Sequence, residues 1–247
     1  MSRTQTWLAP LVLAVVLVVT WGLAVSGGGV PRYFLPGPAD VGRRLVADLT
    51  SPQVWPYIGL TVAQAVLGAL VGALVALPLA ALIHKSRIVA AAVNPFLGAT
   101  QAIPAIALAP LLVLWIGYGL WAVVTLCALM VFFPILISSV HGLRHVPEEI
   151  VQAARIDGAG GLRLLLLIEA PLALASVLAG LRNGFTLAVT GAVVGEMVMG
   201  GSGLGMLLTV QRDAVDTAGM FSSILILCLI ASGAYTLIHA IERRLPV

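Results

Sequence analysis

His141-Gly-Leu-Arg-His-Val-Pro-Glu-Glu-Ile-Val-Gln-Ala-Ala-Arg-Ile-Asp-Gly-Ala-Gly-Gly-Leu-Arg163 is a polar island in a chain otherwise suited to lipid. Of the 247 residues, 60% are hydrophobic and 9% charged, and the mean hydropathy is +1.09. A single aqueous core cannot bury so much apolar surface. Inside the island, Pro147 suits a first helical turn, and Glu148 and Glu149 fall where the positive end of the helix dipole favours them. Arg155 falls near the negative end. Val146, Ile150, Val151 and Ala154 form a small apolar stripe. Asp157-Gly158 then turns the chain, and Leu162 resumes a helix up to Pro171. The spacing predicts two short helices bent at Gly158, a shape suited to docking another protein.

Around the island the sequence reads as membrane spans. Charged residues are absent from Thr4 to Pro31, Leu49 to His84, Ile88 to Leu143 and Thr217 to Ile241. Each run reaches the roughly 20 residues that cross a bilayer as a helix. The third is long enough for two crossings, broken at Gly117-Tyr-Gly119. A fifth crossing follows the island and carries Arg182. The expectation is an all-α integral membrane protein, a single domain with about six spans at 7–26, 57–83, 93–116, 120–140, 172–195 and 219–241. Ala24-Val25-Ser26 has a cleavage-like pattern, but the apolar stretch before it is longer than an ordinary signal sequence, so a retained helix is expected. Asp40 to Asp48 predicts a short surface helix. Pro95, Pro104 and Pro110 predict that span three is broken, which membrane depth tolerates against protein or a water-filled cavity.

With six spans, Arg3, Lys85, Arg87, Arg144, Arg155, Arg163, Arg243 and Arg244 share one side, while Arg32, Arg43, Arg44 and Arg212 share the other. That bias places both termini in the cytoplasm. The net charge of +3 is then a topology signal, and no nucleic acid partner is implied. Gly68/Gly72, Gly180/Gly184 and Gly191/Gly195 are close-approach faces, read first as internal packing and second as a dimer seam.

No catalytic set is visible. No histidine pair forms an HExxH motif, Cys127 and Cys228 lie in apolar spans, and acidic residues are scattered. Lys85 is the sole lysine and follows His84, so a G-x-x-x-x-G-K-[ST] phosphate loop is impossible here. Neither cofactor nor metal is expected. If nucleotide hydrolysis drives the protein, it occurs on another chain.

Gln152-Ala-Ala, three residues, Gly158, nine residues, Ile168, one residue and Ala170-Pro171 resemble the EAA motif of ABC importer permeases, EAA-x3-G-x9-I-x-LP. Gln152 stands for Glu and Ala170 for Leu; the first change removes a charge but keeps hydrogen-bonding capacity. Leu35-Pro-Gly-Pro38, the segment Pro104 to Gly119, Gly180-Leu-Arg182 and Gly195-Glu-Met with Gly203-Leu-Gly205 are similar to the nitrate/sulfonate/taurine branch, which also includes thiamine-precursor and riboflavin permeases. The resemblance implies a type I importer in a bacterial-type inner membrane. A second permease copy, two cytoplasmic ABC ATPase subunits and an extracytoplasmic solute-binding protein are its implied partners. The solute would be a small polar nutrient, either a vitamin precursor such as a pyrimidine or riboflavin, or a sulfonate- or nitrate-type anion.

The island 147–161 would be the coupling helix, with Glu148, Glu149, Gln152, Ala153, Ala154, Arg155, Asp157 and Gly158 meeting the ATPase. Arg182, an intramembrane cation, is either a pathway residue or a structural tether. Glu196 is a gate residue or, more simply, a solvated cap. Gln101, Pro104, Met197 and Met199 are further candidates for the pathway. The competing expectation, an ion-coupled secondary transporter, calls for carboxylates or histidines within spans, and only Glu169 comes near. A membrane-embedded enzyme would need one of the missing catalytic sets.

Overall fold

The computed structural model describes residues 3–27, 31, 33–101 and 104–243, and among them every regular element is helical. Helix α1 spans Arg3–Ser26 and α2 Pro38–Thr50. Then come α3 (Trp55–Lys85), α4 (Arg87–Gln101), a 3₁₀ turn at Ala105–Leu108 and α5 (Ala109–Ile116). After α6 (Leu120–Arg144) and α7 (Glu148–Ile156), α8 (Gly161–Leu164) leads through a π turn at Leu165–Glu169 into α9 (Ala170–Met199). The last helices are α10 (Leu204–Asp213) and α11 (Thr217–Glu242).

Four helical stretches among the described residues are long and apolar enough to cross a membrane: Trp55–Lys85, Leu120–Arg144, Gly161–Met199 and Thr217–Glu242. The expected six-span count is therefore not reached by length and composition alone. Among the residues whose side chains are described, the apolar stretch of α1 is Val12–Ser26, and the expected third span is divided, with Arg87–Leu97 and Ala105–Ile116 as its described apolar pieces. Proline explains the division. Pro104 has an extended backbone before the 3₁₀ turn, and Pro110 occupies the opening turn of α5. The break at Gly117 and Gly119 has φ values of 92° and 119°, which only glycine adopts easily, and it sends α6 back along α5.

The fifth expected span also changes shape. Rather than restarting after Pro171, one helical rod runs from Gly161 to Met199. Proline lacks an N–H, and in a regular helix its ring presses on the carbonyl four residues back. The π turn just before it widens the helix, with the Ala170 N–H reaching the Leu165 carbonyl, and so carries the rod past Pro171.

α6 lies centrally, packed along both α3 and α9, which also touch each other. Leu126, Val131 and Ile135 of α6, with Ala65 and Ala76 of α3 and Ala188 and Ala192 of α9, form the fully enclosed core. Glycine permits this approach. A Cβ on Gly68 would collide with Cys127 Cβ and come within 3.1 Å of the Val124 carbonyl oxygen. One on Gly180 would lie 2.7 Å from Ser138 Cβ, and one on Gly184 would lie 2.9 Å from Val131 Cγ1. The glycine pairs are thus packing faces within the chain.

The amphipathic α2 lies against α11. Asp48 is nearly buried, accepting from Ser222 Oγ at 2.6 Å and pairing with Arg44 Nε at 2.9 Å. Arg44 also pairs with Asp216 at 2.8 Å, and Asp216 caps α11 through the Gly219 N–H. Burial works to lower the Arg44 pKa, but the hydrogen bonds and charges of Asp48 and Asp216 outweigh it and raise the group above its ordinary value.

Gly68→Ala is expected to cost about 1–3 kcal/mol by overpacking α3 on α6. Gly59→Ala on the same helix, where a Cβ meets nothing within 4 Å, is expected to be neutral or slightly stabilising. Thermal unfolding of the two variants in detergent measures the contrast, and equal melting temperatures would remove the close-packing account.

Candidate functional site

The α7 end of the bundle carries the polar island. Pro147 is the N-cap of α7, Glu148 and Glu149 lie in its first turn and Arg155 in its last. Gln152 donates from Nε2 to Glu148 Oε1 at 3.2 Å, one turn back on the helix. Ala153 is exposed and Ala154 half-buried, and no residue of α7 is fully buried. Asp157 closes the helix and Gly158 turns the chain with φ 86°. Ile150 is 42% exposed and Ile156 86% exposed. A charged, well-terminated helix with exposed apolar residues therefore lies at the edge of its own chain, resting on it through the half-buried Val151 and Ala154.

Beneath α7 lies an unexpected anchor. Glu169, 3% exposed, receives Lys85 Nζ on Oε2 at 2.6 Å and has His84 Nε2 3.3 Å from Oε1. This ties the end of α3 to the π turn before α9. A cavity of about 340 Å³ opens there, bordered by Lys85, Arg144, Glu148, Val151, Arg155 and Glu169. Arg144 Nη2 also donates to Asn94 Oδ1 at 3.2 Å, fastening α6 to α4. The platform under α7 thus gathers the ends of α3 and α6 and the start of the α8–α9 rod, with the middle of α4 tied on through Asn94.

A larger cavity of about 680 Å³ lies between the 3₁₀ turn, α6 and α9. Leu108, Met130, Phe133, Ser138, Asn183 and Leu187 are among its lining residues. Pro104 is exposed and immediately precedes Ala105 on its rim. Gln101 ends α4, and its side chain lies outside the described residues.

The other intramembrane candidates have definite partners. Arg182 Nη1 is 3.2 Å from Glu242 Oε2 and 3.2 Å from His239 Nδ1, with its guanidinium 4.7 Å from the centre of the Tyr235 ring. It links α9 to α11. Glu196 is fully buried, so it is not a solvated cap. Its Oε1 accepts from the Thr61 hydroxyl at 2.7 Å and its Oε2 from the Gly205 N–H at 2.6 Å. The Leu204 N–H in turn donates to Thr61 Oγ1 at 2.8 Å. A carboxylate at the start of α10 satisfies orphan helix N–H groups and faces the positive dipole end. The clasp gathers α3, α9 and α10. Met199 is 1% exposed in the core, while Met197 is 42% exposed on the outside of α9.

Against known proteins, the family described as binding-protein-dependent transport system inner membrane component matches residues 68–246. The chain belongs to this family. It is 40% identical over 234 residues to the riboflavin transport system permease protein of Chloroflexus aurantiacus, covering 95% of this chain and 87% of that one. It is 33% identical over 245 residues to the formylaminopyrimidine transport permease protein of Halalkalibacterium halodurans, covering 99% and 97%. Its fold matches a chain from inward-facing structures of the MetNI methionine ABC transporter with TM-score 0.71 at 18% identity, over 80% of this chain and 100% of that one.

The protein is therefore an ABC importer permease of the type I fold, a multi-pass inner-membrane component from a family of non-catalytic subunits. Dependence on a binding protein is part of the family description, and ATPase and solute-binding partners follow from membership. The ion-coupled carrier gains no support. Three features of this permease escaped the sequence. The Lys85–Glu169 pair had a faint signal: a lone acid in Leu165-Leu-Leu-Ile-Glu169 needs a cation, and the sole lysine stands at the end of span two. Helix α10 and the cavity residues Ser138 and Asn183 had none.

Glu196→Ala leaves the Thr61 hydroxyl and the Gly205 N–H without their acceptor, an expected cost of about 1–3 kcal/mol for each buried group. The expected readout is faster amide hydrogen exchange across α10 in the purified permease. Unchanged protection there would mean that the clasp does not hold the helix.

Proposed function

We propose that this permease forms the membrane channel of an ATP-driven importer for a small polar nutrient. Two copies would enclose the channel, two cytoplasmic ATPases would drive it, and an extracytoplasmic binding protein would deliver the solute. The relatives named for riboflavin and formylaminopyrimidine favour a vitamin or vitamin precursor over a sulfonate- or nitrate-type anion. Six crossings with both termini in the cytoplasm complete the topology, α1 and the broken α4–α5 segment supplying the two that length alone leaves out.

The observation that carries the proposal is α7: an EAA-like helix whose Ile156 is 86% exposed and whose Ile150 is partly exposed, apolar surface that its own chain leaves open. Glu148, Glu149, Gln152, Ala153, Ala154, Arg155, Asp157 and Gly158 form the ATPase-facing element 147–161. Its Gly158 bend sets the angle between α7 and the rod that begins at Gly161. Closure of the ATPase pair would then move α7 with the platform beneath it as a rigid body. In the pathway, Pro104 borders the main cavity and Gln101 lies just before it. Met197 faces outward, Met199 packs the core and Glu196 positions α10. Arg182 acts as a tether between α9 and α11.

A Cβ at Gly158 meets nothing within 4 Å, so a substitution there acts through its positive φ alone. Gly158→Val is expected to lower coupled uptake by about tenfold or more while ATP hydrolysis continues, since strain of about 1–3 kcal/mol re-sets the bend. Gly160→Ala, with φ −151° and open space around it, is the matched control. Uptake and hydrolysis measured together in proteoliposomes decide the matter, and intact coupling in Gly158→Val would count against the lever.

Arg182→Ala is expected to lower the melting temperature, since Glu242 loses its guanidinium partner and keeps only His239, while the KM for uptake stays unchanged. A raised KM would instead place Arg182 on the solute's route.

A further inference from the structure

The cavity between the 3₁₀ turn, α6 and α9 is distinctive for the charge it lacks. Among its described lining residues there is no Asp, Glu, Lys, Arg or His. The nearest cation in sequence, Arg182, is committed to Glu242, His239 and Tyr235 on α11. Asn183, one residue further along α9, is turned by about 100° around the helix and borders the cavity instead.

What the cavity offers is apolar surface with two polar handles. Met130 and Phe133 stand one turn apart on α6, and Phe133 is held edge-to-face by Phe132, with ring centroids 4.9 Å apart. The Ser138 hydroxyl and the Asn183 amide have no hydrogen-bond partner among the described residues. Together they present both donors and acceptors, with no fixed sign of charge. The volume of about 680 Å³ lies within the range of small-molecule sites.

These properties discriminate between solute classes. A sulfonate or nitrate gains most from charge-assisted donors, and an anion entering this cavity would leave water without a cation to meet it. A flat ring with alternating ring nitrogens and N–H or carbonyl groups finds an aromatic face, a polarisable thioether and edge partners.

We propose that this cavity is a transit site for an uncharged, flat nitrogen heterocycle that packs against Phe133 and Met130 and bonds through its edge to Asn183 and Ser138. The proposal rests on the permease function above and names the solute class and contacts that function leaves open.

The test uses the full chain assembled with its ATPase and binding protein in lipid vesicles. In a Cys228→Ser background, Ser138→Cys places a thiol in the cavity. Its alkylation by a maleimide is timed alone and with riboflavin, an aminopyrimidine or ethanesulfonate. The expected result is that at least one heterocycle slows alkylation and ethanesulfonate does not. Asn183→Leu is expected to remove that protection and to lower uptake about tenfold, the loss of roughly one good hydrogen bond. Asn183→Gln, which keeps the amide, restores protection, and copurification of the ATPase verifies that each variant folds. Protection by ethanesulfonate overturns the proposal, as does protection that survives Asn183→Leu. Absence of protection by either heterocycle also overturns it and assigns the cavity to lipid or to a helix of the second copy. Each such outcome leaves the permease function standing while the unsubstituted assembly still performs ATP-driven uptake, and failure of that uptake sinks the permease function itself.

Discussion

Contact between the backbones of α3, α6 and α9 is the constraint on which the rest of this molecule depends. In lipid, apolar side chains gain little by leaving the bilayer for one another, so helix association relies on fitted van der Waals contact. Gly68 and Gly72 on α3, and Gly180 and Gly184 on α9, remove the Cβ atoms that would hold α6 away. With α6 gripped on both sides, its far ends are fixed in space. One end feeds α7 and the other receives the α5–α6 turn.

Each end of the bundle is then closed by one buried acid. Glu169 joins α3 to the π turn through Lys85 and His84, and Glu196 joins α3 to α10 through Thr61 and Gly205. The two solve the same problem differently. Glu169 is offset by a cation, whereas Glu196 relies on a hydroxyl, a backbone N–H and the dipole of a short helix. Breaking either would leave a buried polar group uncompensated, a larger loss than the net gain of making the bond.

Much of this was legible from residue order. Long charge-free runs specified helices, Gly117 and Gly119 specified the hairpin, and Pro147, Glu148, Glu149 and Gly158 marked α7 with its bend. The glycine spacing specified close-packed faces, although which helix each face met required the fold. Other features were hidden because their cause is tertiary. Leu204 to Asp213 is too short to stand out as a span, and its helix is opened by Glu196 and Thr61, distant in sequence, which satisfy its first N–H groups. Pro171 looked like a boundary because sequence patterns do not announce a π turn. Arg182 looked isolated because Glu242, His239 and Tyr235 lie on the last helix.

The proposed lever α7 and the cavity are connected to the same two helices. α6 supplies Met130, Phe133 and Ser138 to the cavity and then runs into the loop that begins α7; α9 supplies Asn183 and Leu187 and starts from the rod on the far side of the Gly158 bend. Under the proposed function, a displacement of α7 would be imposed on both walls at once. Because the core between them is tightly packed, relative sliding is resisted and the helices tilt as a unit. The 3₁₀ turn Ala105–Leu108, set between the proline breaks, touches α6 and α9 but belongs to neither rod. In the proposed cycle it would lag when they move. Opening and closing of the cavity would then come from the mismatch between a stiff pair and a broken third wall, which gives the prolines of the α4–α5 segment a mechanical reason to be there.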